Sequence, residues 1–251
     1  MFMSVKNRET LCFLHGWGID SRVWANFEKG FMPEWDVKTL LLPGYDGTVP
    51  RAVDMDAVAR EVMSEIPEDS ILIGWSLGGM IGIRVATLKP IRKLIMLAAA
   101  PCFVKKHDWP CGTENEIMES LIQRMKRDTD RALQEFALLC SKGDSRPRTT
   151  YQVFTQLLKD NKAHINTLIN GLDLLLKTDL RVEFSGLKCK VGVILAAHDH
   201  LLPFAAGAAM HSLRSGLELD VIKGAGHAPF ISCPGQVRRS LLSMLNAGPG
   251  R

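Results

Sequence analysis

Short apolar runs that end in glycine or proline alternate along this chain with longer stretches whose apolar residues recur at helical spacing. Leu11 to Leu14 is stopped by Gly16 and Gly18, the form of a buried strand entering a tight loop, and Asp36 to Leu42 repeats it before Pro43-Gly44. Met55, Val58, Ala59, Val62 and Ile66 then mark one face of a helix closed by Pro67. Ser70 to Gly74 is the next buried strand, Leu77 to Leu88 a helix ended near Pro90, and Lys93 to Ala99 another strand. Far downstream, Val191 to Ala196 and Leu217 to Ile222 predict two more strands, separated by a helical stretch from Pro203 to Ser212 and followed by a helix over Pro234 to Asn246. Strands alternating with helices predict the α/β class, a mostly parallel sheet flanked by helices.

Between Pro101 and Gly186 the pattern changes. Ile117 to Met125, Ala132 to Leu139, Tyr151 to Leu158 and Ile165 to Leu176 are helical runs with no convincing strand among them, so a structured helical insertion is expected over about 103–186. The chain, 1–251, is expected to be one domain carrying that insertion as a lid. Only the tail Gly248-Pro249-Gly250-Arg251 has the composition of a frayed end.

With 46% hydrophobic and 23% charged residues, the composition is that of an ordinary globular protein. A net charge of +4 falls short of the concentrated basic stripe of a nucleic-acid binder, so no nucleic-acid partner is expected. Neither an N-terminal signal pattern nor a run long enough to span a bilayer is present, which predicts a cytoplasmic protein with no membrane association. Cys12, Cys102, Cys111, Cys140, Cys189 and Cys233 form no CxxC pair and read as reduced, buried thiols. The chain is expected to be a monomer.

The chemistry concentrates at four loops. Gly74-Trp75-Ser76-Leu77-Gly78-Gly79 places a serine between the apolar run Ile71-Leu72-Ile73 and a helix, the strand–turn–helix context in which a tight glycine-flanked turn lifts a nucleophilic hydroxyl out of a sheet. Acyl transfer also needs two N–H donors for the oxyanion; Leu77, just after the serine, and Trp17, in the loop His15-Gly16-Trp17-Gly18, occupy the expected places. A general base and an orienting carboxylate must follow in the order acid, then histidine. His227, between the last strand and the last helix, and Asp199, after the strand Val191 to Ala196, lie at the same sheet edge as Ser76. His15 is expected to brace its own loop, and His107, His164 and His211 to lie on helices or the surface. His198-Asp199-His200 lacks a third ligand at metal-binding spacing, and no phosphate-cradling glycine motif occurs, so neither a metal nor any other cofactor is expected.

Leu14-His15-Gly16-Trp17-Gly18, Leu42-Pro43-Gly44-Tyr45, the Ser76 motif, Ala100-Pro101-Cys102-Phe103, Asn170-Gly171-Leu172 with Leu176 to Arg181, and Gly226-His227-Ala228-Pro229-Phe230-Ile231 together resemble the pimeloyl-[acyl-carrier protein] methyl ester esterases of biotin synthesis, the BioH family of α/β-hydrolase fold serine esterases. The resemblance covers nearly the whole chain outside the lid segment between Cys102 and Leu133. It implies demethylation of a pimeloyl chain carried on acyl-carrier protein, with Ser76 as nucleophile, Asp199 as acid, His227 as base, and Trp17 and Leu77 as oxyanion donors. By the same resemblance, Phe136, Ala137, Leu138, Leu139 and Cys140 line the acyl channel alongside Trp17, Ser76, Leu77 and His227.

The lid carries more basic than acidic residues: Arg124, Lys126, Arg127, Arg131, Lys142, Arg146 and Arg148 against Asp128, Asp130, Glu135 and Asp144. Of these, Arg124, Arg127, Arg131, Arg146 and Arg148 are the expected docking residues for the acidic carrier, beside the blander reading of a solvated helix face. Other functions on the same scaffold are a broad-specificity carboxylesterase for small or medium acyl esters, a binding protein that has lost catalysis, and a lyase, peroxidase-like or acyltransferase activity.

Overall fold

The structure is a computed structural model that describes residues 8–246; the tail from Gly248 onward lies outside them. Its six strands are β1 (Thr10–Leu14), β2 (Asp36–Leu40), β3 (Ile71–Trp75), β4 (Lys93–Leu97), β5 (Lys190–Ala196) and β6 (Glu218–Ile222). They form one sheet in the order β2-β1-β3-β4-β5-β6, with every pairing parallel. The central strands β3 and β4 are buried at every position, whereas β2 and β6 at the two edges are mostly half-buried or exposed. A continuous apolar run is what a strand covered on both faces requires.

The covering helices are α1 (Met55–Ser64), α2 (Leu77–Leu88), α8 (Ala206–Leu213) and α10 (Pro234–Asn246), with the short α9 (Pro229–Ser232) just before the last. Between β4 and β5 lie α3 (Asn115–Arg127), α4 (Thr129–Ser141), α5 (Pro147–Leu158), α6 (Ile165–Lys177) and α7 (Arg181–Gly186). The amphipathic spacing that predicts the lid helices is realised in inward faces such as Leu133, Phe136, Ala137 and Cys140 on α4.

Several element ends differ from the pattern, each for a local reason. The second strand stops at Leu40 rather than Leu42, because the Leu42 N–H is taken by His15 Nε2 at 3.0 Å instead of a strand partner. The fourth ends at Leu97, since Ala98 turns into the left-handed region with φ 44°. The helices α7 and α9 are too short to leave a periodic signature.

Chain order turns this sheet into a site. From β1 the chain moves outward to β2, then crosses back to β3 on the other side of β1, and continues outward to β6. Loops leaving the carboxyl ends of β1 and β3 therefore diverge and leave a crevice, the place where open α/β sheets bind ligands. The loops holding Trp17, Ser76, Asp199 and His227 all leave that edge.

Candidate active site

Ser76 sits between β3 and α2 with φ 54° and ψ −120°, a conformation that a non-glycine residue adopts only where its surroundings enforce it. Two bonds do so: its N–H donates to Leu97 O at 2.9 Å, and its carbonyl accepts the Gly79 N–H at 2.9 Å. The turn also needs bare backbone, since a Cβ on Gly78 would stand 2.5 Å from His15 O. The serine hydroxyl is thus fixed at the amino end of α2, where unpaired helical N–H groups favour nearby negative charge.

His227 Nε2 lies 2.9 Å from Ser76 Oγ, and its Nδ1 lies 2.7 Å from Asp199 Oδ2. An ionised carboxylate only accepts, so the Nδ1 proton belongs to the bond with Asp199 and the Nε2 lone pair faces the serine hydroxyl. The other Asp199 oxygen accepts the Leu201 and Leu202 N–H groups at 2.8 and 3.0 Å, which locks the carboxylate's direction. The His227 and Asp199 side chains are fully buried, and Ser76 is 1% exposed. In a dry site these bonds act at greater strength than they would in water.

The Trp17 loop is held against the serine from outside. A Cβ on Gly16 would stand 3.1 Å from Ser76 Cβ, so this backbone is in close contact with the turn. The Gly18 N–H donates to the Tyr45 hydroxyl at 2.8 Å, and the His15 ring packs edge-on against Tyr45 at 4.6 Å. His15 does brace the loop: Nε2 accepts from Leu42, and Nδ1–H donates to Gly16 O at 2.8 Å. Burial pulls its pKa down to about 4, in keeping with a neutral ring that needs one bare nitrogen. Leu77 opens α2, so its N–H has no partner within that helix.

The lid residues divide. Phe136 lies edge-on to the Trp17 ring at 4.7 Å, and Trp17 Nε1 donates to Leu168 O on α6 at 2.6 Å, so the Trp17 ring joins two lid helices beside the serine. Phe136, Ala137 and Cys140 are buried, while Leu139 is half-buried and Leu138 is 59% exposed. Leu138 and Leu139 line an open groove of about 450 Å³ with Ile117 and Leu121 of α3. The Cys140 thiol is pushed well above its ordinary value by burial and then by the nearby carboxylates Asp199 and Asp144, which keeps it protonated and unreactive. All six cysteines are unpaired, but Cys111, Cys189 and Cys233 are half-buried rather than buried.

The five arginines expected to dock a carrier fall into two groups. Arg124, Arg127 and Arg131 line a surface hollow of about 400 Å³ with Asp128 and Glu135. Within it, Arg124 is paired with Glu135, and Arg131 approaches the same carboxylate at 3.5 Å. Arg146 and Arg148 are exposed at the start of α5, beyond the end of α4 opposite to Arg131.

Sequence reasoning missed the aromatic setting of His227. The Trp75 indole N–H donates to the His227 carbonyl at 2.8 Å, Phe103 meets the imidazole edge-on at 6.2 Å, and Phe154 of α5 stacks on Trp75 at 5.9 Å. The one available signal was Phe103 in the Pro-Cys-Phe motif; Phe154 is only one of several apolar lid residues in the sequence. Among the described residues no group of three or more His, Cys, Asp or Glu side chains is placed to hold a metal, and no helix is long and apolar enough to cross a membrane.

The sheet, the strained serine turn and the buried Ser–His–Asp line define a hydrolase of the α/β kind, and a family model described as the alpha/beta hydrolase family matches residues 13–239. The chain belongs to that family. Within it, the chain is similar to pimeloyl-[acyl-carrier protein] methyl ester esterases, being 31% identical over 236 residues to the one from Aromatoleum aromaticum, with 91% of this chain and 94% of that protein covered. To the protein of the same name from Xylella fastidiosa (strain M23) it is 32% identical over 237 residues, covering 92% of each. Among solved structures, an esterase from Exiguobacterium antarcticum superposes with a TM-score of 0.83 at 23% identity, over 95% of this chain and 92% of that one. A bromoperoxidase from Bacillus anthracis superposes equally well, at 0.84 and 19% identity, over 95% and 92%. Likeness at that identity speaks to the fold alone.

Proposed function

We propose that this protein hydrolyses the methyl ester of pimeloyl-[acyl-carrier protein] by covalent serine catalysis. The observation that carries the chemistry is the continuous bond line from Ser76 Oγ through His227 to Asp199, buried beside the amino end of α2. His227 takes the hydroxyl proton as Ser76 attacks the ester carbonyl, then returns it to the departing methanol; water resolves the acyl-enzyme by the same path, and Asp199 stabilises the imidazolium throughout. The Trp17 and Leu77 amides receive the developing oxyanion. The choice of substrate rests on similarity to the pimeloyl-[acyl-carrier protein] methyl ester esterases across nine-tenths of the chain. The carrier is the expected partner, and the lid, through Phe136 and Trp17, is the expected wall of the acyl channel.

Steady-state kinetics on pimeloyl methyl ester linked to acyl-carrier protein, beside a small free ester, test this reading. The carrier-linked ester should be preferred in kcat/KM, and Ser76→Ala should abolish both activities in a protein that remains folded. Equal rates on both esters would return the protein to the broad carboxylesterases. Retained hydrolysis by Ser76→Ala would remove the mechanism.

A further inference from the structure

The segment joining α4 to α5 packs against the loop that carries His227, and three bonds tie them together. The His227 N–H donates to Cys140 O at 3.2 Å, the Ser145 N–H donates to Gly224 O at 2.7 Å, and the Gly226 N–H donates to the Asp144 carboxylate, Oδ1, at 2.5 Å. The fit is close enough to exclude a side chain at 226, where a Cβ would stand 2.7 Å from Lys142 O and 3.0 Å from Cys140 O. Gly143, with φ 85°, turns the lid backbone so tightly past His198 that a Cβ there would run into the His198 carbonyl.

Asp144 is unlike its acidic neighbours in the lid. Asp128 caps α4 through Arg131 N, and Glu135 pairs with arginines, whereas Asp144 is buried and its second oxygen, Oδ2, has no hydrogen-bond partner. Burying a carboxyl with one oxygen unsatisfied is unfavourable, and the residue exists here in contact with the peptide just before the base. The backbone of His227 is then held from both directions: its carbonyl by the Trp75 indole, its own N–H by Cys140, and the preceding N–H by Asp144. These bonds fix the dihedrals that aim the imidazole between Ser76 and Asp199.

We propose that Asp144 is a positioning residue for the general base: through the Gly226 N–H it sets the direction of the His227 ring, and it makes the seating of the lid a condition for an aligned triad. The proposal rests on reading Ser76, His227 and Asp199 as that triad. A misaligned base lowers the rate of proton transfer without altering how a small ester binds, so the effect belongs in kcat.

The test compares Asp144→Ala and Asp144→Asn on a small free ester, with rates expressed per active site by titration with a serine-directed phosphonate. Asp144→Ala should lower kcat tenfold or more with KM within twofold of the parent. Asp144→Asn keeps an oxygen for the Gly226 N–H and should stay within threefold of the parent. Unchanged kcat per active site in Asp144→Ala, with only a lower melting temperature, would overturn the proposal in favour of a purely structural role. So would an Asn variant as slow as the Ala variant. Should Asp144→Ala fail to fold, Asp144→Leu, which keeps the volume without an acceptor for the Gly226 N–H, takes its place: kcat should fall tenfold or more with KM within twofold of the parent, and an unchanged kcat per active site would overturn the proposal. Ser76→Ala run alongside separates the two readings, because hydrolysis surviving in it strikes the triad itself, whatever Asp144 does.

Discussion

At the scale of single residues, the proposed triad is held by side chains that lie far in the sequence from the backbone they bind. Ser76, Asp199 and His227 stand out in the sequence because each follows an apolar run and the order acid-then-histidine is constrained. The structure places His227 within hydrogen-bond distance of both Ser76 and Asp199. What the sequence hides is which groups hold these three in place, because the hydrogen bonds that Tyr45 and Asp144 accept from distant backbone, and that Trp75 donates to it, leave no local pattern. His15 shows what such a support implies. Its ring is buried and neutral, with a pKa of about 4 against an ordinary value near 6.5. The unfolded chain therefore binds the proton more readily than the folded one, so His15 contributes no pH penalty above about pH 6.5. As pH falls from there to about 4, stability should drop by up to about 3 kcal/mol, with no further loss from this group below that. Denaturant unfolding at pH 7.5 and 4.5 measures the drop, and His15→Gln should remove that part of the pH slope while being less stable at pH 7.5.

At the scale of elements, apolar periodicity located the strands and the main lid helices, and failed where a side chain or a turn rather than a sheet partner ended an element, as at Leu42 and Ala98. It also could not tell inward from outward within Phe136 to Cys140. That stretch follows the helical repeat, so Phe136, Ala137 and Cys140 face in, while Leu138 faces solvent. Phe136, packed on Trp17, is the residue of this stretch best placed to touch an acyl chain. Each methylene that loses contact costs roughly 0.8 kcal/mol, so Phe136→Ala, exposing about two, should lower kcat/KM for hexanoyl or longer esters about 15-fold more than for acetyl esters. Equal losses on both would mean that the ring only packs the lid.

At the scale of the whole molecule, the net charge of +4 says little, and its distribution says more. Glu135 compensates Arg124 and Arg131 in their hollow, whereas Arg146 and Arg148 make no ion pair among the described residues. The exposed pair also follows directly on the segment bound to the His227 loop. It is therefore the stronger candidate for steering an acidic carrier. Changing both to Glu should lower kcat/KM for the carrier-linked ester on the order of tenfold at low salt and flatten its salt dependence, leaving a small ester unaffected. Parallel changes on both substrates would place the docking surface elsewhere.

The bond between Ser76 and His227 spans 151 residues, and the Trp75 bond to the same histidine spans 152. The histidine follows β6, an edge strand and the last of the described sheet in chain order, so under the proposed mechanism a chain in which β6 has not yet docked lacks its base. Contacts of such sequence separation require large loops to close, which makes them slow to form. On refolding, regained turnover thus reports that the final strand has docked, a stage that helix content, which arises from local contacts, does not register.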